Sequence, residues 1–103
     1  MLEQNRLVYE FDRYRLDAGD RLLYRNGEPV PLAPKVIDTL LVLVERHGRV
    51  VEKAVLIATV WPDVTVEENN LTQNVSLLRK TLGDGDDRKF IETIPRRGYR
   101  FVA

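Results

Sequence analysis

Along residues 7–32 apolar and polar positions alternate. Leu7-Val8-Tyr9-Glu10-Phe11, Tyr14-Arg15-Leu16-Asp17, Arg21-Leu22-Leu23-Tyr24-Arg25 and Glu28-Pro29-Val30-Pro31-Leu32 are short runs rich in Val, Leu, Tyr and Phe. Turn formers separate them: Asp12-Arg13, Asp17-Ala18-Gly19-Asp20 and above all Asn26-Gly27, the dipeptide suited to a two-residue hairpin turn. The pattern predicts an antiparallel sheet of three or four strands. Such a sheet is too small to stand alone and needs a helix layer over its apolar face.

After Pro34 the period changes. Proline is at home in the first turn of a helix, and Val36, Ile37, Leu40, Leu41, Leu43 and Val44 supply a wide apolar face that Gly48 ends, with Arg46 and His47 read into the last turn. A short extended Arg49-Val50-Val51 follows, then a second helix from about Glu52 to Trp61, ended by Pro62. Thr65-Val66-Glu67-Glu68 fits a capping box, so a third helix is expected to start near Val66 or Glu67 and to run to Leu82 before Gly83. Gly83 to Asp87 reads as a polar turn. Phe90–Ile94 and Tyr99–Val102 then read as strands around Pro95-Arg96-Arg97-Gly98, a hairpin with two arginines at its tip.

The order sheet, helix, helix, helix, hairpin describes one α+β domain over residues 1–103. It comprises an N-terminal antiparallel sheet (7–32), a helical core (34–83) and a C-terminal β-hairpin (90–102). Two helices joined by a short loop, the second polar on its outer side, followed by a hairpin wing, make a winged helix-turn-helix. The length of 103 residues suits a single domain, and 44% hydrophobic residues supply one modest core.

The third helix has two unlike faces. At about 100° per residue, Leu71, Val75, Leu78 and Leu82 form an apolar stripe, and Asn69, Gln73, Ser76 and Lys80 point away from it. Thr72 flanks this outward face on one side, Asn70 and Leu77 on the other. Amides, hydroxyls and an ammonium in one line are groups that read base edges and phosphates in a DNA major groove. Any surface helix, however, shows amides and lysine to water, and Leu77 fits both a thymine-methyl contact and an ordinary exposed leucine. Asn74 and Arg79 lie at the edges of the stripe, where Arg79 suits an internal ion pair as well as a phosphate. Charge sharpens the picture only through its distribution, because the net charge is zero. Residues 1–68 hold nine Lys/Arg against twelve Asp/Glu, a balance of −3, whereas residues 69–103 hold seven against four, or +3.

Asn69-Asn70-Leu71-Thr72-Gln73-Asn74-Val75-Ser76-Leu77-Leu78-Arg79-Lys80-Thr81-Leu82-Gly83 and Ile91-Glu92-Thr93-Ile94-Pro95-Arg96-Arg97-Gly98-Tyr99-Arg100-Phe101 resemble the OmpR/PhoB-type winged-helix DNA-binding domain. Val30-Pro31-Leu32-Ala33-Pro34-Lys35 and Ala58-Thr59-Val60-Trp61-Pro62 match it too, so the resemblance runs from about Leu7 to Val102. The Asn-Asn-Leu-Thr-Gln form and the Pro-x-Arg-Gly hairpin are most similar to the ToxR/CadC-like branch. There the domain is N-terminal in a longer regulator, and a start at Met1 with an end just past the last strand fits a module cut from one. The resemblance implies sequence-specific binding of double-stranded DNA by a bacterial transcriptional regulator in the cytoplasm. It implies a recognition helix, about 67–82, in the major groove and the wing, 95–98, in the minor groove. Asn69, Asn70, Thr72, Gln73, Ser76, Leu77, Lys80, Arg96 and Arg97 are the implied DNA-binding residues. Lys35, Thr39 and Arg49 are weaker candidates for phosphate contact, and the loop 62–66 for contact with RNA polymerase. The family usually has Ser or Thr where Ala33 and Glu52 stand, so both helix starts are expected to be less well capped. The isolated domain is expected to be a monomer that pairs on DNA.

Other function classes find little support. The chain has no cysteine and one histidine, His47, which reads as a helix-end cation or a solvated residue. No phosphate-cradling glycine loop occurs, and Gly83 to Asp87 lacks the spacing of a calcium loop. No catalysis, metal or cofactor is expected. No apolar stretch approaches the roughly 20 residues of a membrane span. The competing reading is a winged helix that binds another protein without DNA, which the zero net charge favours.

Overall fold

The computed structural model describes residues 7–83 and 89–103. The expected turn at Gly83 to Asp87 therefore lies, beyond Gly83, outside the described residues. Four strands form the first sheet in the order β1-β2-β3-β4: β1 (Val8–Phe11), β2 (Tyr14–Asp17), β3 (Leu22–Arg25) and β4 (Glu28–Val30), all antiparallel. Arg25 pairs with Glu28, leaving Asn26 and Gly27 as a two-residue turn at φ +51° and +84°. Both positive values are what the primed hairpin turn requires, and Asn and Gly tolerate them at least cost. The sheet's period of two turns Phe11, Tyr14, Leu16 and Leu23 inward, all buried.

Three helices follow it along the chain: α1 (Pro34–Glu45), α2 (Lys53–Val60) and α3 (Glu68–Leu82). α1 starts at its proline, but it ends at Glu45, so Arg46 and His47 lie beyond the helix rather than in its last turn. Neither Ala33 nor Glu52 makes a side-chain cap, as their residue types imply. The capping box does not form. α3 starts two residues later than a box capped by Thr65 requires, with Glu67 in the capping position and no side-chain bond to the helix end. Its entry is instead held by an ion pair of 3.0 Å between Lys53 Nζ and Glu68 Oε2, and a carboxylate in the first turn also complements the helix dipole. Gly83 ends α3 in the left-handed conformation, at φ +76°.

The extended segment after α1 is a strand, β5 (Val50–Glu52), and it pairs with the C-terminal hairpin of β6 (Ile91–Ile94) and β7 (Gly98–Phe101) in the order β5-β7-β6. At Gly98 the pairing is close. A Cβ there would overlap the Val51 carbonyl oxygen and approach the Glu52 Cα to 2.9 Å, so only glycine fits. The two sheets meet through aromatic rings, with Phe11 5.0 Å from Phe101 and 5.5 Å from Tyr14, and Tyr14 5.9 Å from Phe90. Arg21 closes the opposite side, donating to both carboxylate oxygens of Asp38 in α1 at 2.9 and 2.6 Å.

Two stability outcomes follow from this packing. Leu78 has no exposed surface, and Leu78→Ala is expected to cost about 2–5 kcal/mol in denaturant unfolding. Gly98→Ala must push β5 away from β7, and a melting temperature equal to that of the native chain would contradict the close approach.

Candidate nucleic-acid interface

α3 is seated by its apolar stripe. Leu71, Val75, Leu78 and Leu82 are at most 3% exposed, and this fixes which side of the helix meets solvent. Asn69, Asn70, Thr72, Gln73, Ser76, Leu77 and Lys80 are all exposed, so every residue expected on the outward face lies there. Leu77 retains 43% of its surface. Two members are partly engaged within the helix: Asn70 Nδ2 donates to the Glu67 carbonyl at 3.3 Å, and the Thr72 hydroxyl to the Glu68 carbonyl at 3.3 Å.

Polar bonds flank the stripe on both sides. Towards α1, Asn74 Nδ2 donates to Thr39 Oγ1 at 3.2 Å and to the Lys35 carbonyl at 3.3 Å, and the Thr39 hydroxyl in turn donates to the Lys35 carbonyl at 2.8 Å. Lys35 Nζ donates to the Val60 carbonyl at 2.8 Å, where it satisfies the C-terminal end of α2. Lys35, Thr39 and Asn74 therefore tie all three helices together. Thr39 has no exposed surface, so it is not placed for a phosphate, and Lys35 is spent on α2. Arg49 is exposed, away from this network.

Towards the wing, the Arg79 guanidinium donates to the Ile91 carbonyl at 3.0 Å and to Thr93 Oγ1 at 2.6 Å, with its carbon 6.0 Å from the Tyr99 ring centre. Of the two partners open to Arg79 from sequence, the internal one is realised, as hydrogen bonds to the hairpin. The wing is held from its other edge as well, by the Lys53 backbone N–H donating to the Arg97 carbonyl at 3.0 Å. Across the wing strands Arg100 pairs with Glu92. Arg96 and Arg97 are exposed at the tip, where the Arg97 N–H closes the turn on the Ile94 carbonyl at 3.0 Å. Arg96 sits at φ +67°, a conformation natural to glycine. The third helix and the wing thus present their polar residues as parts of one rigid unit.

The loop from Pro62 to Thr65 is exposed, with Val64 at 62%. His47 is exposed too; its Nε2 lies 2.6 Å from the Ala103 oxygen and its ring meets the Phe101 ring edge-on. Among the described residues there is no cluster of His, Cys, Asp and Glu able to hold a metal ion, and no helix long and apolar enough to cross a membrane.

A family model described as "Transcriptional regulatory protein, C terminal" matches residues 27–101. The chain belongs to this family. The OmpR/PhoB-type domain is 36% identical over 93 residues to the transcriptional regulator HilA of Salmonella typhi, covering 90% of this chain and 17% of that protein. It is 38% identical over 81 residues to the transcriptional activator CadC of Escherichia coli, covering 77% of this chain and 16% of that one. The chain thus spans about a sixth of the length of these relatives. The solved DNA-binding domain of E. coli CadC superposes with a TM-score of 0.82 at 31% identity, covering 98% of this chain and 95% of that one. The Klebsiella pneumoniae RstA DNA-binding domain, solved in complex with the RstA box, gives 0.76 at 26% identity, covering 92% and 96%. The CadC-like winged helix described here is accordingly a DNA-binding domain of the kind carried by bacterial transcriptional regulators.

Sequence reasoning missed β5 as a wing strand and the roles of Lys53 and Asn74. The one available signal was Asn74 itself, a polar residue on the border of an otherwise apolar stripe. Replacing Asn74 by Ala is expected to cost about 1 kcal/mol, and Arg79→Met about 1–3 kcal/mol because the lost bonds involve a charged donor. Thermal unfolding of both variants checks this order.

Proposed function

We propose that the domain binds double-stranded DNA sequence-specifically, with α3 in the major groove and the turn 95–98 in the adjacent minor groove. One observation carries the reading: the exposed face of Asn69, Gln73, Ser76 and Lys80 lies opposite a fully buried stripe and is joined rigidly to an arginine-tipped hairpin. In this arrangement Asn69, Gln73, Ser76 and Leu77 meet base edges, whereas Lys80, in the last turn, meets the phosphate backbone. Asn70 and Thr72 contribute at the margins of the same face. Arg96 and Arg97 enter a narrow minor groove, whose negative potential attracts guanidinium groups. The backbone of Arg96 is compatible with this role, since its φ of +67° is one that glycine would adopt at lower cost.

The reading extends to partners. The loop 62–66, exposed from Pro62 to Thr65 and with Val64 at 62%, is suited to RNA polymerase bound beside the same DNA. The domain acts in the cytoplasm as a monomer that pairs on repeated half-sites.

Titration of labelled duplexes at several salt concentrations tests the DNA reading, because released counterions make log K fall linearly with log salt. Absence of binding at low salt would favour the protein-interaction alternative. Gln73→Ala is expected to relax base preference at one or two positions, at a cost of about 1–3 kcal/mol on the preferred site. The pair Arg96→Ala and Arg97→Ala should weaken binding and reduce the salt slope. Arg96→Gly should weaken binding while leaving thermal stability equal or higher, since the turn is relieved. For the loop, Val64→Ser should lower transcription in a purified system and leave DNA affinity unchanged; equal transcription would remove the polymerase assignment.

A further inference from the structure

α3 carries one guanidinium, that of Arg79, and it does not lie on the outward face. It is held by the Ile91 carbonyl and the Thr93 hydroxyl at 3.0 and 2.6 Å, against the wing. This matters for specificity because the commonest specific contact to guanine in the major groove is a bidentate one, from Arg or Lys to O6 and N7. Lys80 is the other cation of the helix, and it stands in the last turn, whereas a recognition helix reads bases mainly with its N-terminal residues. The part of α3 that reaches bases therefore offers no cation to guanine.

What it does offer, beside the Ser76 hydroxyl, which suits either base pair, is an i, i+4, i+8 ridge of Asn69, Gln73 and Leu77, all exposed. Asn and Gln amides pair bidentately with the N6 and N7 atoms of adenine, and an apolar side chain suits the C5-methyl group of thymine. Among the described residues the Asn69 and Gln73 amides make no intramolecular hydrogen bond, in contrast to Asn70, so both are available. Leu77 follows Gln73 by one helical turn on the same ridge, which lets the two meet neighbouring base pairs.

We propose that the recognition face selects A·T pairs in the major groove, with Asn69 and Gln73 on adenines and Leu77 on a thymine methyl, because its only arginine is committed to holding the wing. The proposal rests on the DNA-binding reading above. It also resolves Leu77, whose exposed side chain acquires a partner. Arg79 is on this account a positioning residue that sets the wing and, by being spent there, narrows the base preference.

Selection of bound sequences from a random duplex pool, followed by thymine-to-deoxyuridine replacement in the enriched site, tests it. Enriched sites should carry A·T pairs at the positions that Gln73→Ala and Leu77→Ala relax. Removing the methyl group from one thymine should lower the native domain's affinity about fourfold, the value of one buried methyl, and leave that of Leu77→Ala unchanged. Guanine at the Gln73-dependent position, or equal affinity for every deoxyuridine-substituted site, would overturn the proposal while leaving DNA binding intact. Failure to enrich any duplex at low salt would overturn the DNA-binding reading and the proposal with it.

Discussion

The rotation of α3 about its own axis is the constraint on which the interface depends. Leu71, Val75, Leu78 and Leu82 bury one stripe, and because a helix is rigid at this length, burial of that stripe dictates what the opposite side shows to solvent. Asn74 and Arg79 border the stripe and act as stops on either side, the first against Lys35 and Thr39 of α1, the second against Ile91 and Thr93 of the wing. Turning the helix in one direction breaks the first set; turning it in the other breaks the second. Hydrophobic burial supplies most of the free energy, but it is non-directional, and the polar stops make the rotation unique.

The wing is positioned by a similar division of labour. Pairing of β5 with β7 places the hairpin beside the start of α2, and Gly98 permits the two backbones to approach. Lys53 then serves two elements at once, its backbone N–H holding Arg97 and its ammonium holding Glu68 at the start of α3. α3 and the wing tip thereby share one anchor. An interface spanning two grooves needs its two parts at a fixed separation, and preorganisation of this kind lowers the ordering cost on binding. The N-terminal sheet contributes from behind, where Phe11 and Tyr14 pack on Phe90 and Phe101.

Relatives of this domain make up one part of longer regulators, with the match covering about a sixth of HilA and of CadC. A self-contained core of this type suits such use, because the outward face of α3, the wing tip and the loop from Pro62 to Thr65 are all exposed without help from another domain. The balanced charge of the chain is consistent with this economy: the basic excess lies in residues 69–103, which include the wing and all of α3 but its first residue, Glu68, and the remainder is acidic.

Local chemistry made most of the fold legible. Alternation in residues 7–32, Asn26-Gly27, Pro34, Pro62, Gly83 and the two-faced period of residues 68–82 each act through near neighbours, so the strands, the primed turn, the start of α1, the ends of α2 and α3 and the outward face of α3 could be read one segment at a time. Long-range partners could not. Thr65 to Glu68 has the composition of a capping box, yet packing sets the first turn of α3 elsewhere and an ion pair from Lys53 takes over. Lys35 and Thr39 look like phosphate donors by type, and only the approach of α2 and Asn74 engages them within the fold. β5 is three residues long, too short for its pattern to reveal a partner strand 46 to 50 positions away. By itself the sequence determined the elements and which side of each is apolar, since both depend on periodicity. The tertiary structure decided which polar residues hold the fold and which remain for a ligand, because a side chain's hydrogen-bond partner is a matter of distance in space.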